Sequence, residues 1–574
     1  MSSKRSLPDL LWVFGFAFAV RLLVLSRFGD SAYFLPTSED MKFYAEWAKH
    51  IAAGQWTDHR AFYGLPGYPF LLGGIFALIG FDPFSVGFLQ ILSEAAIAAL
   101  LFQIAAWAFP GSRARVIGGL AALGWTFYQP AQALSVILMP TTWAVLLFWG
   151  VFCWSARTTS RSLWRPWLGM GLLTGVVAMM VATVFFILPI PIAVAVRNLR
   201  RPVAILAAVA CLLGGVIVGT SPCWLHNYFI AGEPVLLSAH SGLNFWIGNN
   251  PDANGYPKLP PGMRASQEGM LRDSIRMAEK AAGHPLKRAE ISRYWSAKAN
   301  AYIHEHPREW LLLMGIKIKN LWNAAQYDDL SIITPFRDEG IVTPGLRFGW
   351  VAVFAIPGFV FAWRRHPRSR WIAAAVCLHM AALLPVFVTE RYRLAAVPGL
   401  LLLAACGLSE LQEALARRRW REVSARLAMG AAALWIVTLP QHTNSLWSLD
   451  VYNSGLKALE IGDMPRAKEK LERALAYTPE NAEVNTALGN YWFHASDFPR
   501  AKWFYVRALQ LDPRTVVALN NLALLEIMEG HFAQAKGLLK ATLEIEPEDP
   551  KALNLIADCE SKLQAPTPTP SPAP

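Results

Sequence analysis

RNLRRPVAILAAVACLLGGVIVGTSP (Arg197–Pro222) reads in two parts, three arginines and then an uncharged apolar run that lasts to its end. About 20 such residues make a helix that crosses a hydrocarbon core of ~30 Å, and short Lys/Arg-rich loops stay on the cytoplasmic side. The same junction recurs along the chain. Besides Arg197/Arg200/Arg201, basic clusters stand at Lys4-Arg5, Arg113/Arg115, Arg157/Arg161/Arg165, Arg364/Arg365/Arg368/Arg370 and Arg417 to Arg421. With all six inside, the segments between them cross in pairs and the remaining long loops face outward.

Composition agrees with a membrane protein. Of 574 residues, 54% are hydrophobic and 16% charged, with a mean hydropathy of +0.30, too apolar for a soluble chain of this length. The net charge of +12 comes mostly from the loop clusters and reads as orientation. It forms no single patch interleaved with aromatics, which argues against nucleic-acid binding. Twenty-three Trp residues suit interfacial belts. The six cysteines contain no CxxC pair and most sit in apolar runs, so neither a zinc site nor a disulfide framework is expected. Leu10 to Val24 lacks a small-residue cleavage site and reads as a retained helix.

The expected fold is all-α, a polytopic transmembrane helical bundle followed by an α-solenoid. Crossings are expected at roughly 8–27, 84–109, 114–130, 132–155, 166–181, 183–197, 202–222, 346–363, 371–389, 393–410 and 424–440, about 11 in all. Tyr68 to Gly80 reads as a re-entrant or interfacial segment, because a full crossing there would place every later basic cluster outside. The domains expected are a multipass unit over 1–440, with extracytoplasmic loops 28–67 and 223–344, then soluble repeats over 441–563 and a disordered Pro-rich tail, 564–574. The N-terminus lies inside and the repeats outside.

Pro479, Pro513 and Pro547 are 34 residues apart, as are Ala467, Ala501 and Ala535, and Leu475, Leu509 and Leu543. Leu471, Tyr505 and Leu539 share a bulky slot, and Gly455, Gly489 and Ala523 a small one. This pattern resembles the tetratricopeptide repeat, a helix–turn–helix unit whose second helix ends at Pro. Three repeats (448–481, 482–515, 516–549) and a capping helix over Lys551 to Leu563 follow. The resemblance implies a concave surface for a protein partner; a domain that only stabilises or dimerises the membrane unit is the plainer alternative.

Chemistry is expected in the outward loops. The first contains SEDMKFYAEWAKHIAAGQW (Ser38–Trp56) and AFYGLPGYPFL (Ala61–Leu71). Asp40, Tyr44, Trp47 and Ile51 share one face of an interfacial helix. An acid on that face is costly without a partner or a task; as a plainer role, Asp40 caps the helix. With TERYRLAAVPGLLLLAACGL (Thr389–Leu408) and WLHNYFIAGEPVLLSAHSGLNFWIGNNPDANG (Trp224–Gly255), the loop resembles the GT-C superfamily. The nearer likeness is to protein O-mannosyltransferases and aminoarabinose transferases, over roughly residues 8–440.

That resemblance implies a glycosyltransferase of the bacterial inner membrane. It would move a sugar from a polyprenyl-phosphate donor to an extracytoplasmic protein, lipid or glycan acceptor, with inversion. Asp40 is the implied base, with Glu39 its neighbour and alternative. Arg391 and Arg393, with Tyr392 beside them, are the implied phosphate contacts, since the guanidinium fork binds phosphate bidentately; snorkelling or an ion pair with Glu390 is their plainer role. Tyr44, Asn244, Asn249 and Lys317 are further substrate-binding candidates, although turn chemistry explains the asparagines and a solvated or headgroup-facing side of a helix explains Lys317 and Lys319. Arg21, inside the first helix, is expected to pair with an acid such as Glu94. His59, His226 and His240 lack partners at ligand spacing, so no metal and no cofactor are expected.

Two departures limit the likeness. Pro130 to Trp143 has Thr141/Thr142 where relatives carry a second acid, which argues against a two-carboxylate, metal-dependent mechanism. His226-Asn227 stands where relatives often carry Arg before Asn. Two alternatives remain in view: a glycan transferase of the O-antigen ligase and oligosaccharyltransferase kind, and a non-catalytic membrane scaffold that presents the repeats.

Overall fold

In the computed structural model, residues 6–36, 39–159, 164–260, 263, 267–441, 444–547 and 549–564 are described. The chain divides into two units, Met1–Pro440 and Gln441–Pro574. Among the described residues the regular elements are helical, and the only β contact is an isolated bridge between Tyr128 and Leu346. Helices suit an apolar chain because each satisfies its own backbone without water.

The first unit opens with α1 (Ser6–Gly29), α2 (Glu39–Ala52), α3 (Gly67–Ile79), α4 (Pro83–Ala108), α5 (Gly111–Thr126), α6 (Gln129–Val136), α7 (Thr141–Arg157), α8 (Trp164–Ala178), α9 (Pro189–Asn198) and α10 (Pro202–Leu225). The long middle segment holds α11 (Ser241–Gly248), α12 (Gln267–Ala282), α13 (Arg288–Glu305), α14 (Pro307–Trp322) and α15 (Ile333–Asp338). The unit closes with α16 (Phe348–Arg365), α17 (Ser369–Leu383), α18 (Glu390–Arg393), α19 (Val397–Ala416) and α20 (Trp420–Val437).

Among the described residues, four stretches are long and apolar enough to cross a membrane: Leu7–Gly29, Pro83–Ala108, Pro202–Ile230 and Glu390–Ala416. A fifth is available if the bent pair α6–α7 counts as one span. The other expected crossings fall on helices of 10 to 18 residues, from α9 at the short end to α16 and α20 at the long end. Such lengths are below the ~20 residues of a simple crossing. Two expectations need correction. The segment 132–155 is not one helix, since α6 and α7 meet at 116° across Ile137–Pro140. Pro140 disfavours helix in the residue before it. The carbonyls freed there are taken up by Gln90, whose Nε2 donates to Ser135 O at 2.9 Å and Ile137 O at 2.7 Å. The segment 183–197 is likewise a 3-10 turn, Ala182–Ile187, followed by α9.

Arg21 is buried in α1 and meets Glu94 of α4 at 3.1 Å, the expected partner. Its guanidinium also donates to Trp125 O at 2.9 Å and to Thr126 O. Those carbonyls end α5 and have no partner within their own helix. One charge thus joins three helices.

Helices α8 and α10 meet backbone to backbone. A Cβ on Gly171 would come within 1.9 Å of Leu212 O, on Gly175 within 2.5 Å of Val216 O, and on Gly215 or Gly219 within 2.4 Å of the α8 backbone. Glycines four apart on both helices let the backbones meet, the small-xxx-small packing of membrane bundles.

In the second unit, α21 (Asn444–Glu460) and α22 (Met464–Tyr477), α23 (Ala482–His494) and α24 (Phe498–Leu511), and α25 (Val516–Met528) and α26 (Phe532–Ile545) form three hairpins, followed by α27 (Pro550–Gln564). Each second helix stops two residues before Pro479, Pro513 or Pro547, as the restriction on the residue preceding proline requires. Asp463, Asn481 and Asp497 cap α22, α23 and α24 through side-chain oxygens. Gly489 leaves room for the buried Tyr505 ring, which a Cβ would approach to 2.5 Å. The array is tetratricopeptide-like in these respects. The tail 565–574 and the first basic cluster, Lys4-Arg5, lie outside the described residues.

Candidate functional site

The chain turns from an extended stretch into α18 at Thr389, whose Oγ1 accepts from Tyr392 N at 3.3 Å and starts the helix. That cap aims Arg391 at α2, where Asp40 occupies the first turn. Arg391 Nη1 donates to Asp40 Oδ2, and Nη2 lies 2.8 Å from Asp329 Oδ2. One guanidinium is therefore shared between carboxylates from two segments that sequence keeps far apart. Its carbon lies 5.2 Å from the centre of the Tyr392 ring. The three charged side chains are between 11 and 14% exposed. Arg391 Nε and Asp329 Oδ1 are buried with no hydrogen-bond partner among the described residues, so the group has polar capacity in reserve.

Tyr44 follows one turn after Asp40 and packs edge-on against Tyr68 at 5.2 Å. Burial raises its phenol well above the ordinary value, and the Asp40 charge adds to the rise. Burial also raises the Asp329 carboxyl, opposed by Arg391 and reinforced by Asp40. His240 is drawn into the same surroundings. Burial pulls its imidazole down to about 4 against the opposing Asp40 charge and Asn244 amide, so it is neutral at neutral pH. Tyr63 stacks edge-on to His240 at 4.7 Å. Asp40, Arg391, Tyr392 and Tyr44 thus assemble as one group, with Asn244 near its edge through His240.

Other candidates are placed elsewhere. Arg393 is 1% exposed and pairs with Glu390, and it donates to Asn323 O at 2.9 Å and Asn320 O at 3.3 Å. It lies 3.7 Å over the Phe348 ring, while Tyr128 donates to the other Glu390 oxygen. This corrects its reading as a phosphate contact: Arg393 closes the end of α14 from inside the protein. Asn249 is also corrected. Its amide nitrogen donates to Phe245 O and Pro385 O, and its oxygen accepts from Trp310 and Lys317, which leaves no position for a sugar hydroxyl. Lys317 does not lie on a solvated or headgroup face. It is fully buried, donates to Leu384 O at 2.9 Å, and is pulled down to about 7 by burial. Lys319 does sit at the surface, on Pro440 O. Glu39 opens α2, but its side chain lies outside the described residues.

Sequence reasoning missed Asp329 and set His240 aside. The Asp328-Asp329 pair sits in an irregular stretch whose pattern resembles an ordinary surface loop. Only the fold brings it under Arg391. For metal chemistry, the space between Asp40 and Asp329 is held by the guanidinium. Among the described residues, Glu526, Glu529 and His531 of the second unit lie close enough together to share an ion. Lys502 Nζ already sits 2.7 Å from both of these carboxylates.

No family model matches the chain, and no curated protein matches it. Among solved structures, the chain is similar to the TPR2AB-domain:pHSP90 complex of yeast Sti1. Identity there is 14% and the TM-score 0.19, over 52% of this chain and 93% of that one. It is also similar to the APC/C hetero-tetramer Cut9–Hcn1, at 12% identity and a TM-score of 0.21, over 91% of this chain and 96% of that one. At these TM-scores neither likeness carries weight, and the reading of both units rests on their own residues.

Proposed function

We propose that the chain is an integral-membrane glycosyltransferase that takes a sugar from a polyprenyl phosphate at the outer leaflet of a bacterial inner membrane. The observation that supports it best is the direct contact of Asp40 with Arg391 across 351 residues, at the end of an apolar span. In this reading the lipid phosphate of the donor displaces the Asp40 carboxylate from Arg391. Asp40 is then released as general base, takes the proton of the acceptor hydroxyl or amine, and the acceptor attacks the anomeric carbon. The bond from that carbon to the phosphate oxygen breaks, and its electron pair leaves on a phosphate held by Arg391. Asp329 keeps Arg391 in place throughout. Direct displacement inverts the anomeric centre. The GT-C-like bundle of about 11 crossings, short helices included, belongs to this proposal, as does an extracytoplasmic repeat domain that receives the acceptor or a protein partner.

The test is glycan transfer in membranes that carry wild type, Asp40→Asn or Glu39→Gln at equal expression, read by mass spectrometry of envelope proteins and lipids. Asp40→Asn is expected to lower one sugar modification by about 10²–10⁴. If Glu39→Gln alone does so, the base moves by one residue; if no modification depends on the protein, the proposal fails. A second reading is favoured by the even sharing of Arg391 between two acids: a charged clasp that pins α2 to α18 in a scaffold. It predicts a loss of stability in Asp40→Asn without any change in sugar.

A further inference from the structure

At the other end of α19 the basic clusters converge. Glu410 is 2% exposed and accepts from Arg113 at 3.1 Å and from Arg365, with Arg426 at 3.5 Å and His366 at 3.6 Å. Beside it is a cavity of about 340 Å³ whose lining is almost wholly charged, with Arg113, Arg365, Arg417, Arg419 and Arg426 around Glu413 and Glu422. Glu410 included, five guanidiniums face three carboxylates, a formal excess of two positive charges. Each guanidinium has five N–H donors and each carboxylate about four acceptor positions, so donors outnumber acceptors by about two to one. Glu–Arg pairs hold the geometry: Arg426 to Glu422 at 2.8 Å, Arg417 to Glu413 at 2.8 Å and Arg419 to Glu422 at 3.2 Å.

Orientation alone requires only that arginines be present in the loops. It does not require four helix ends to bring them around one cavity. Glu390–Ala416 spans 27 residues, so the cavity lies roughly 40 Å from Asp40 and Arg391. Trp363 and Trp420 flank this end and are 47% and 65% exposed, the position of residues at headgroup depth.

We infer that this arginine-lined cavity is a second binding site, on the cytoplasmic face, for a phosphate group. A phosphate's negative charge and free oxygens suit guanidinium forks, each of which can bind it bidentately. The group is carried by an anionic lipid headgroup or by a soluble phosphate compound. Native mass spectrometry of the full-length protein, titrated with phosphatidylglycerol or phosphatidylcholine, with and without inorganic pyrophosphate, separates the two sources. Arg417→Gln/Arg419→Gln changes two half-exposed side chains, and its melting temperature checks folding. Arg200→Gln/Arg201→Gln removes the same charge from another basic loop.

Phosphatidylglycerol retained over phosphatidylcholine, and lost at least about tenfold in the 417/419 variant only, supports the site with a lipid ligand. Pyrophosphate that binds lipid-free wild type but not that variant supports it with a soluble one. Equal retention of both lipids without pyrophosphate binding, or equal loss in the 200/201 control, overturns it.

Discussion

Arg21 and Glu94 are each 1% exposed in the interior of the helical bundle. Removing one member of a buried pair strands the other's charge, at a cost of about 3–5 kcal/mol, whereas replacing both with apolar residues is often close to neutral. Glu94→Gln is therefore expected to lower stability by about that amount. Arg21→Met/Glu94→Leu should be less damaging than the sum of its parts, as a double-mutant cycle on detergent-solubilised protein would measure. Lys317 gives a second expectation, through pH. Its folded pKa of about 7 lies below its unfolded value, so between roughly pH 7 and 10.4 the unfolded chain binds more protons. Stability from this group must then rise with pH across that window. The melting temperature of wild type should climb from pH 7 to 9 more than that of Lys317→Met. At this scale, cost was the legible signal. An arginine inside an apolar helix demands an acid, and Glu94 could be named from the sequence. Asn249 and Lys317 could not be placed, because a polar residue facing water and one buried against a carbonyl look alike in a turn or in a helix of mixed pattern.

Among the elements, the α8–α10 pair has no room for added volume at its glycine contacts. Gly215→Leu would drive a side chain into Leu168 O and is expected to cost about 1–3 kcal/mol or to prevent packing altogether. Gly214→Leu, next to it but with nothing within 4 Å of its Cβ, should leave the melting temperature near wild type. Apolar runs placed most of the helices correctly. Breaks were harder to place. Hydropathy continues across Ile137–Pro140 while the backbone turns through 116°, because Gln90 from another helix supplies the hydrogen bonds that make the bend tolerable. The glycine spacing on α8 and α10 is visible in the sequence, but nothing local says that these two helices are partners.

For the whole molecule, two units with separate cores lead to a direct expectation. The fragment 441–574 should fold by itself, with a helical circular-dichroism spectrum and a cooperative melt. Within it Tyr505→Ala, which empties a fully buried slot of the central hairpin, should cost about 3–5 kcal/mol. A non-cooperative melt of the wild-type fragment would contradict an independently stable array. A period of 34 residues made this unit readable: repeated Pro stops and small residues recur wherever one hairpin meets the next. The apolar character of the first unit and its basic junctions were equally readable, since both are sums over residues in order along the chain. What tertiary structure alone decided is which distant charges meet. Asp329 joining Asp40 at Arg391, Arg393 turning inward to the Asn320 and Asn323 carbonyls, and five arginines gathering at one cavity all depend on contacts between segments remote in sequence. The energy of such a contact resides in distance and burial, and neither is a property of a residue's neighbours along the chain.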